Sequence, residues 1–130
     1  MVDIIKVTGE DPLLYELVGP LVMNEDVLAY NLNYPFRTSS SFLWFIAIGN
    51  GHTLGFIPVK LGRSKAKINN YYVADDDNEV FSALLQEINA ALLEEYELEA
   101  ITQLRHVPEF EKNGFTIALN WKRYAKMIAV

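Results

Sequence analysis

A mixed α/β fold follows from three features of the sequence. Short runs rich in β-branched and aromatic residues alternate with segments of helical periodicity. Gly49-Asn50-Gly51 joins two apolar runs of strand length, because asparagine and glycine tolerate the positive φ of a tight hairpin turn. One long amphipathic segment lies between the later strand-like runs, so sheet and helix must share a core.

Each element has a local reason. Asp3-Ile4-Ile5-Lys6-Val7-Thr8 reads as a strand closed by Gly9. Asp11 caps a helix, with Pro12 at a tolerated first-turn position and Leu13, Leu14, Leu17, Val18 and Leu21 at helical spacing. Gly19-Pro20 is expected to kink or end it. Asn24 through Tyr34 predicts a second short helix stopped before Pro35. Phe42 to Ile48 is a continuous apolar run, the pattern of a strand buried on both faces. Thr53 to Leu61 returns antiparallel to it, and Lys65 to Val73 forms a third strand of that section. The clearest helix runs from about Glu79 to Leu93, where Val80, Phe81, Leu84, Leu85, Ile88, Ala91 and Leu92 make one broad apolar face. Leu98 to Leu104 is a strand, Pro108 to Asn113 a short helix, and Gly114 its left-handed cap. Phe115 to Trp121 and Tyr124 to Val130 form a last hairpin around Lys122 and Arg123. The expected order is β-α-α-β-β-β-α-β-α-β-β, with parallel and antiparallel pairing both present.

Composition bounds the function. At 130 residues, folding hides roughly two-thirds of the unfolded surface, enough for one core, so a single domain over 1–130 is expected. Hydrophobic residues at 51% and charged residues at 22% exclude a disordered chain. No apolar run is long enough to span a bilayer, and the N-terminus has no basic region or apolar block of a signal peptide. With no cysteine there is no disulfide framework, zinc-thiolate site or cysteine nucleophile. A cytoplasmic location is expected, with no membrane partner. A net charge of −6 argues against general nucleic-acid binding. That charge is uneven. Nine of the 17 acids fall between Asp75 and Glu99, while Lys60, Arg63, Lys65 and Lys67 gather four of the 11 bases. The basic cluster either keeps a hairpin edge soluble or grips an acidic partner or a nucleotide phosphate.

Three local motifs, in this order of elements, resemble the GNAT superfamily of N-acetyltransferases. They are Gly55-Phe56-Ile57-Pro58-Val59 on a hairpin strand; Tyr71-Tyr72-Val73, a loop and a helix with Ala83-Leu84-Leu85; and Phe110-Glu111-Lys112-Asn113-Gly114-Phe115, close to the superfamily's "Y-E-K-x-G-F". The resemblance covers essentially the whole chain. It implies a GNAT-like mixed central sheet flanked by helices and an acyl-CoA-dependent N-acyltransferase. Acetyl-CoA would enter a gap beside the strand ending in Tyr72 and Val73. Backbone at those two residues and at Asn78 and Glu79 would hold the cofactor, and a small-molecule or peptide amine would accept the acyl group. A homodimer is compatible with that reading.

Two departures from the superfamily pattern stand out. The pyrophosphate loop "R/Q-x-x-G-x-G/A" falls on Asp76 to Phe81, so an Arg or Gln is replaced by Asp76 and two small residues by Glu79 and Phe81. Bulk and negative charge then occupy the place of an anion that relies on free helix-terminal amides. Asp76-x-x-Glu79 also has the form of a capping box, which would satisfy those amides internally. Phe110 stands where many members carry the tyrosine that protonates the departing thiolate, and it has no hydroxyl. These departures support an alternative: a degenerate GNAT-fold binding or regulatory module that does not use acetyl-CoA. A further variant, different chemistry in the same cleft, is opposed by the acidic composition where nucleic acid would be the substrate.

His106, at a predicted strand end, and Tyr71 are the candidate catalytic groups. The alternative for His106 is a hydrogen-bonded strand-end histidine. Strand alternation puts Asn69 and Tyr71 on one face and Asn70 and Tyr72 on the other. Tyr30, Asn33, Tyr34 and Asn70 are the candidate substrate-binding residues, a wall of aromatic and amide groups that either lines a cleft or packs. His52 and His106 are too far apart in sequence to suggest a metal site, and Asp75 to Asp77 lacks the spacing and glycine of a calcium loop. No metal site is expected.

Overall fold

The computed structural model describes residues 2–129. Its strands are β1 (Asp3–Thr8), β2 (Phe42–Gly49), β3 (His52–Leu61), β4 (Lys65–Ile68), β5 (Tyr72–Val73), β6 (Glu97–Gln103), β7 (Thr116–Asn120) and β8 (Tyr124–Ala129). Its helices are α1 (Pro12–Val22), α2 (Glu25–Tyr30), α3 (Asn78–Leu92) and α4 (Val107–Lys112). The strands form one sheet in the order β1-β2-β3-β4-β6-β8-β7, with β5 paired to β3. Among the described residues only β4 and β6 run parallel, and every other pair is antiparallel. The expected α/β class and element order hold, except that one strand becomes two. Among the described residues, no helix is long and apolar enough to cross a membrane.

Alternation along β2 divides the core. Phe45 and Ala47 point to one face, where α3 and Phe110 of α4 bury Leu84, Leu85 and Ile88 against β3, β4, β6 and β8. Trp44 and Ile46 point to the other, where Leu14 and Val18 of α1 and Val27 of α2 pack with Val7 and Phe56. Both faces of β2 are therefore covered, as its unbroken apolar run requires. The hairpin turn is also as expected, with Asn50 at φ 52° and Gly51 at φ 76°. The fully buried strand residues of the second cluster come from β1, β2 and β3, with Tyr72 of β5 packed at its margin. Beyond β3, that face of the sheet has no helix in its buried cluster, and cavities open there over β4, β6, β7 and β8.

Three elements depart from the sequence expectations. Helix α1 continues through Gly19-Pro20 to Val22. The proline removes one helix donor, but Leu21 and Val22 beyond it pack on the second cluster, and the Thr53 hydroxyl donates to the Leu17 carbonyl at 2.8 Å in the disturbed turn. Helix α2 is capped by Asn24 but ends at Tyr30, well before Pro35. Leu32 and Asn33 adopt φ of 55° and 65°, and the Asn33 amide bonds back to the Leu28 carbonyl at 2.7 Å. Left-handed backbone, rather than proline, stops this helix.

The third departure creates the cleft. The expected strand Lys65–Val73 breaks at Asn69–Tyr71 into β4 and β5. β4 pairs with β6 from Lys65↔Glu97 to Ile68↔Ala100, after which the two lines of strand part. β5 stays with β3, through Gly55↔Val73 and Phe56↔Tyr72, and its other edge pairs with no strand. The break also resets side-chain alternation. Asn69 and Asn70 open on the same cavity, while Tyr71 turns into the α3 core, so the expected pairing of Asn69 with Tyr71 on one face is wrong.

Gly55 holds β5 in place by being small. A Cβ there would lie 2.7 Å from the Tyr72 carbonyl oxygen and 3.1 Å from the Val73 Cα. Because the obstacle is backbone, Gly55→Ala should destabilise the fold by roughly 1–3 kcal/mol, read from urea unfolding midpoints at constant slope.

Candidate functional site

The cleft between the parted strands is filled by the chain's own polar groups. Tyr71 and His106 are only 1% and 2% exposed. The Tyr71 hydroxyl lies 2.7 Å from His106 Nδ1 and accepts the Gln103 amide at 3.1 Å. His106 Nε2 lies 2.8 Å from Asp76 Oδ1 and 3.1 Å from the Tyr30 hydroxyl. Arg105 Nε donates to Asp76 Oδ2 at 3.0 Å, and its guanidinium also donates to Gln103 Oε1 and lies 4.9 Å over the Tyr30 ring. Gln103 Nε2 donates to the Tyr30 carbonyl at 2.9 Å. Side chains from α2, from the β4–β5 break and from the loop before α3 thus meet the end of β6 and the turn after it.

The proton positions follow from the chemistry of the partners. An ionised carboxylate only accepts, so His106 Nε2 carries the proton given to Asp76. Nδ1 is then the acceptor, and the Tyr71 hydroxyl donates to it while accepting the Gln103 N–H. Every group in this chain is satisfied with His106 neutral. Protonating Nδ1 would turn the Tyr71 O–H away from it and leave that buried proton without this acceptor. Burial lowers the His106 pKa from its ordinary value, and the nearby Asp76 opposes that without overcoming it. Burial raises the Tyr30 and Tyr71 hydroxyls, with Asp76 adding to the rise for Tyr30. Partial burial works to raise Asp76, yet bonds from Tyr30, His106 and Arg105 hold its carboxyl below the usual range.

The capping box expected at Asp76-x-x-Glu79 does not form. The N-cap of α3 is Asp77, whose carboxylate accepts the Glu79 and Val80 amides at 2.9 and 3.2 Å. Asp75 and Asp76 have φ of 58° and 50°, and this left-handed turn carries Asp76 away from the helix to His106. One local signal was available in the sequence, since Asp77 stands at cap spacing too. Nothing local marks Asp76 as the partner of a histidine 30 residues away.

The other candidates distribute as follows. Tyr72 is half-buried against Tyr30 and Phe56, with ring centroids 5.1 and 5.8 Å apart, and Val73 is fully buried in the core. Asn78 and Glu79 are exposed in the first turn of α3. Asn70 Oδ1 accepts from Asn31 Nδ2 at 2.9 Å, and Asn70 lines a cavity of about 200 Å³ with Tyr34, Asn69, Ile101 and Tyr124. Asn33 is exposed in the helix-ending turn and stands apart from that cavity. Phe110 is buried between Tyr71, Phe81 and Phe115, so its position faces core. Gln103 and Arg105 belong to the Tyr71–His106–Asp76 network, Asn31 bonds to Asn70, and none of the three was singled out from the sequence, because a lone amide or arginine carries no pattern.

These residues do not fit acetyl-CoA. The gap that would take its pantetheine arm holds Tyr71 and His106. The amides of Glu79 and Val80 that would face its pyrophosphate are already capped by Asp77. Asp77 and Glu79 add negative charge at the start of α3, where the anion would lie.

The network predicts an acid-sensitive fold. The unfolded chain takes up a proton at His106 below about pH 6.5 while the folded chain resists it. Stability should therefore fall as pH drops below that value, and His106→Gln should flatten this part of the curve. Melting temperatures across the pH range test the slope, and histidine ¹⁵N shifts should report the neutral Nε2–H form.

No family sequence model and no curated protein sequence matches the chain. Solved structures do. Over the full length of both chains, the fold superposes on the crystal structure of Escherichia coli ElaA with TM-score 0.72 at 9% identity. An acyl-CoA N-acyltransferase from Pseudomonas aeruginosa gives TM-score 0.72 at 13% identity, again over both whole chains. The PaiA N-acetyltransferase of Thermoplasma acidophilum, solved in complex with coenzyme A, gives 0.64 at 16% identity over 99% of this chain and 98% of that one. At these identities the likeness is one of architecture, and the architecture is the GNAT acyltransferase fold.

Proposed function

We propose that this chain is a GNAT-fold binding module that does not use acetyl-CoA, its cofactor cleft having been converted into an internal polar lock. The observation that carries this reading is the Tyr71–His106–Asp76 chain across the parted strands. Opening it would leave several buried polar groups unsatisfied, at about 1–3 kcal/mol each. Coenzyme A would then have to displace the lock and bind beside carboxylates, with no glycine-lined loop in compensation. The ligand of such a module is a small molecule or peptide that meets the Tyr34–Asn69–Asn70–Tyr124 cavity from the open face of the sheet.

A second reading, acyl transfer from acetyl-CoA to an amine, is favoured by one observation: the outer edge of Tyr72–Val73 is left without a strand partner. In that reading the lock opens on binding, the edge amides receive the thioester arm, and His106 with Tyr71 handles the proton of the amine.

An amide-resolved NMR titration with acetyl-CoA decides between the two. The expected result is no shift at the amides of residues 71–80 and of Gln103, together with no release of free CoA when amines are added. Saturable shifts at those amides, or amine-dependent CoA release, would overturn the module reading. Exchanging the loop for the superfamily's pattern, by Asp76→Arg with Glu79→Gly and Phe81→Gly, should create affinity for CoA in the cleft, read as saturable shifts at the amides of residues 71–80 that the wild type does not show.

A further inference from the structure

A sizeable cavity lies outside the cleft. It measures about 450 Å³ and is formed by the β3–β4 hairpin, from Lys60 to Lys67, with Asn69 at its border. Four cations line it and no acid does. Lys67 is 3.7 Å from Glu99, a carboxylate it shares with Lys126 at 2.6 Å. Among the described residues, Lys60, Arg63 and Lys65 make no ion pair, so in a chain of net charge −6 three unneutralised cations face one concavity. The turn itself is fixed, with the Gly62 amide on the Lys65 carbonyl at 2.8 Å and the Ser64 carbonyl accepting the Glu97 amide at 2.9 Å. A hairpin edge kept soluble by lysines would not require them to converge.

We propose that this cavity is a binding site for a small oligophosphate ligand, such as a nucleoside polyphosphate, independent of whether the cleft binds acetyl-CoA. Compact multiple charge matches the ammonium groups, and the Arg63 fork can hold two phosphate oxygens at once. The acidic remainder of the chain does not forbid this. Screening over about 8 Å at physiological salt leaves a ligand inside the cavity governed by the nearest charges. A long polyanion would instead have to cross the acidic surface. Lys67 and Asn69 also border an adjoining cavity of about 240 Å³, walled by Ile101, Leu119 and Trp121. Leu119 and Trp121 are 51% and 47% exposed, large apolar groups left open beside a charged site. A ligand with phosphates on the hairpin and a planar ring against Trp121 satisfies both cavities at once.

The probes are sodium tripolyphosphate, ATP and an oligothymidine strand, followed by amide and indole NMR shifts. Tripolyphosphate and ATP should each shift the amides of residues 62–67 saturably, and ATP alone should also move the Trp121 indole. Lys60→Gln with Arg63→Gln and Lys65→Gln should weaken both by roughly tenfold or more, about 1.4 kcal/mol. Lys122→Gln, outside the cavity, should leave affinity unchanged, and the unperturbed spectrum of each variant reports that it is folded. No saturable shift, equal binding by the triple variant, or binding of the strand without the small probes would overturn the proposal. Movement of residues 62–67 without residues 71–80 upon addition of acetyl-CoA would support this site and leave the lock reading standing.

Discussion

His106 is the residue on which the site's architecture turns. Its two ring nitrogens face opposite sides of the cleft, one receiving the Tyr71 hydroxyl and the other reaching Asp76 and Tyr30. Neutral imidazole can accept at one ring nitrogen and donate at the other in a fixed plane. With it in place, the β4–β5 break, the left-handed Asp75-Asp76 turn and helix α2 are tied to the end of β6. Without it, three buried or half-buried hydroxyl and carboxyl groups would lose their common partner.

The lock explains how a sheet can part without being empty. In a parallel pair that diverges, backbone groups on the facing edges lose their ladder partners and must find others. Here the Gln103 amide finds the Tyr71 hydroxyl, and the Gln103 side chain takes the Tyr30 carbonyl. The ring of Tyr71 then packs on Phe81 and Phe110 at 5.6 and 5.8 Å between centroids, so the polar chain is backed by an aromatic wall. Phe81 and Phe110 thus build the apolar side of the plug.

Charge follows the same division of labour. Two acids of the 75–79 segment serve the chain itself, Asp77 as helix cap and Asp76 as partner of His106 and Arg105. The bases of the 60–67 segment have few such partners and converge on open space. The two segments carry four acids and four bases, so they differ in how their charge is used and not in its amount.

Most of the architecture was legible in the sequence because it rests on periodicity and turn chemistry. The unbroken apolar run of Phe42–Ile48 required a strand covered on both sides, the Gly49-Asn50-Gly51 turn required a hairpin, and Gly114 stands at φ 92° as a helix-ending glycine should. The motifs around Gly55, Leu84 and Phe110 pointed to the GNAT fold, and His106 with Tyr71 emerged as the noteworthy pair. What the sequence by itself could not determine was how that pair is used. A nine-residue strand and a broken one have the same local propensities, and the break at Asn69–Tyr71 falls where the pairing of β4 with β6 ends and before β5 resumes pairing with β3. A capping box and a salt bridge are equally available to Asp76, and a backbone turn at Asp75 chose between them. Secondary structure is decided within a few residues along the chain, whereas a hydrogen bond between residues 30 apart is decided by where the whole sheet places them.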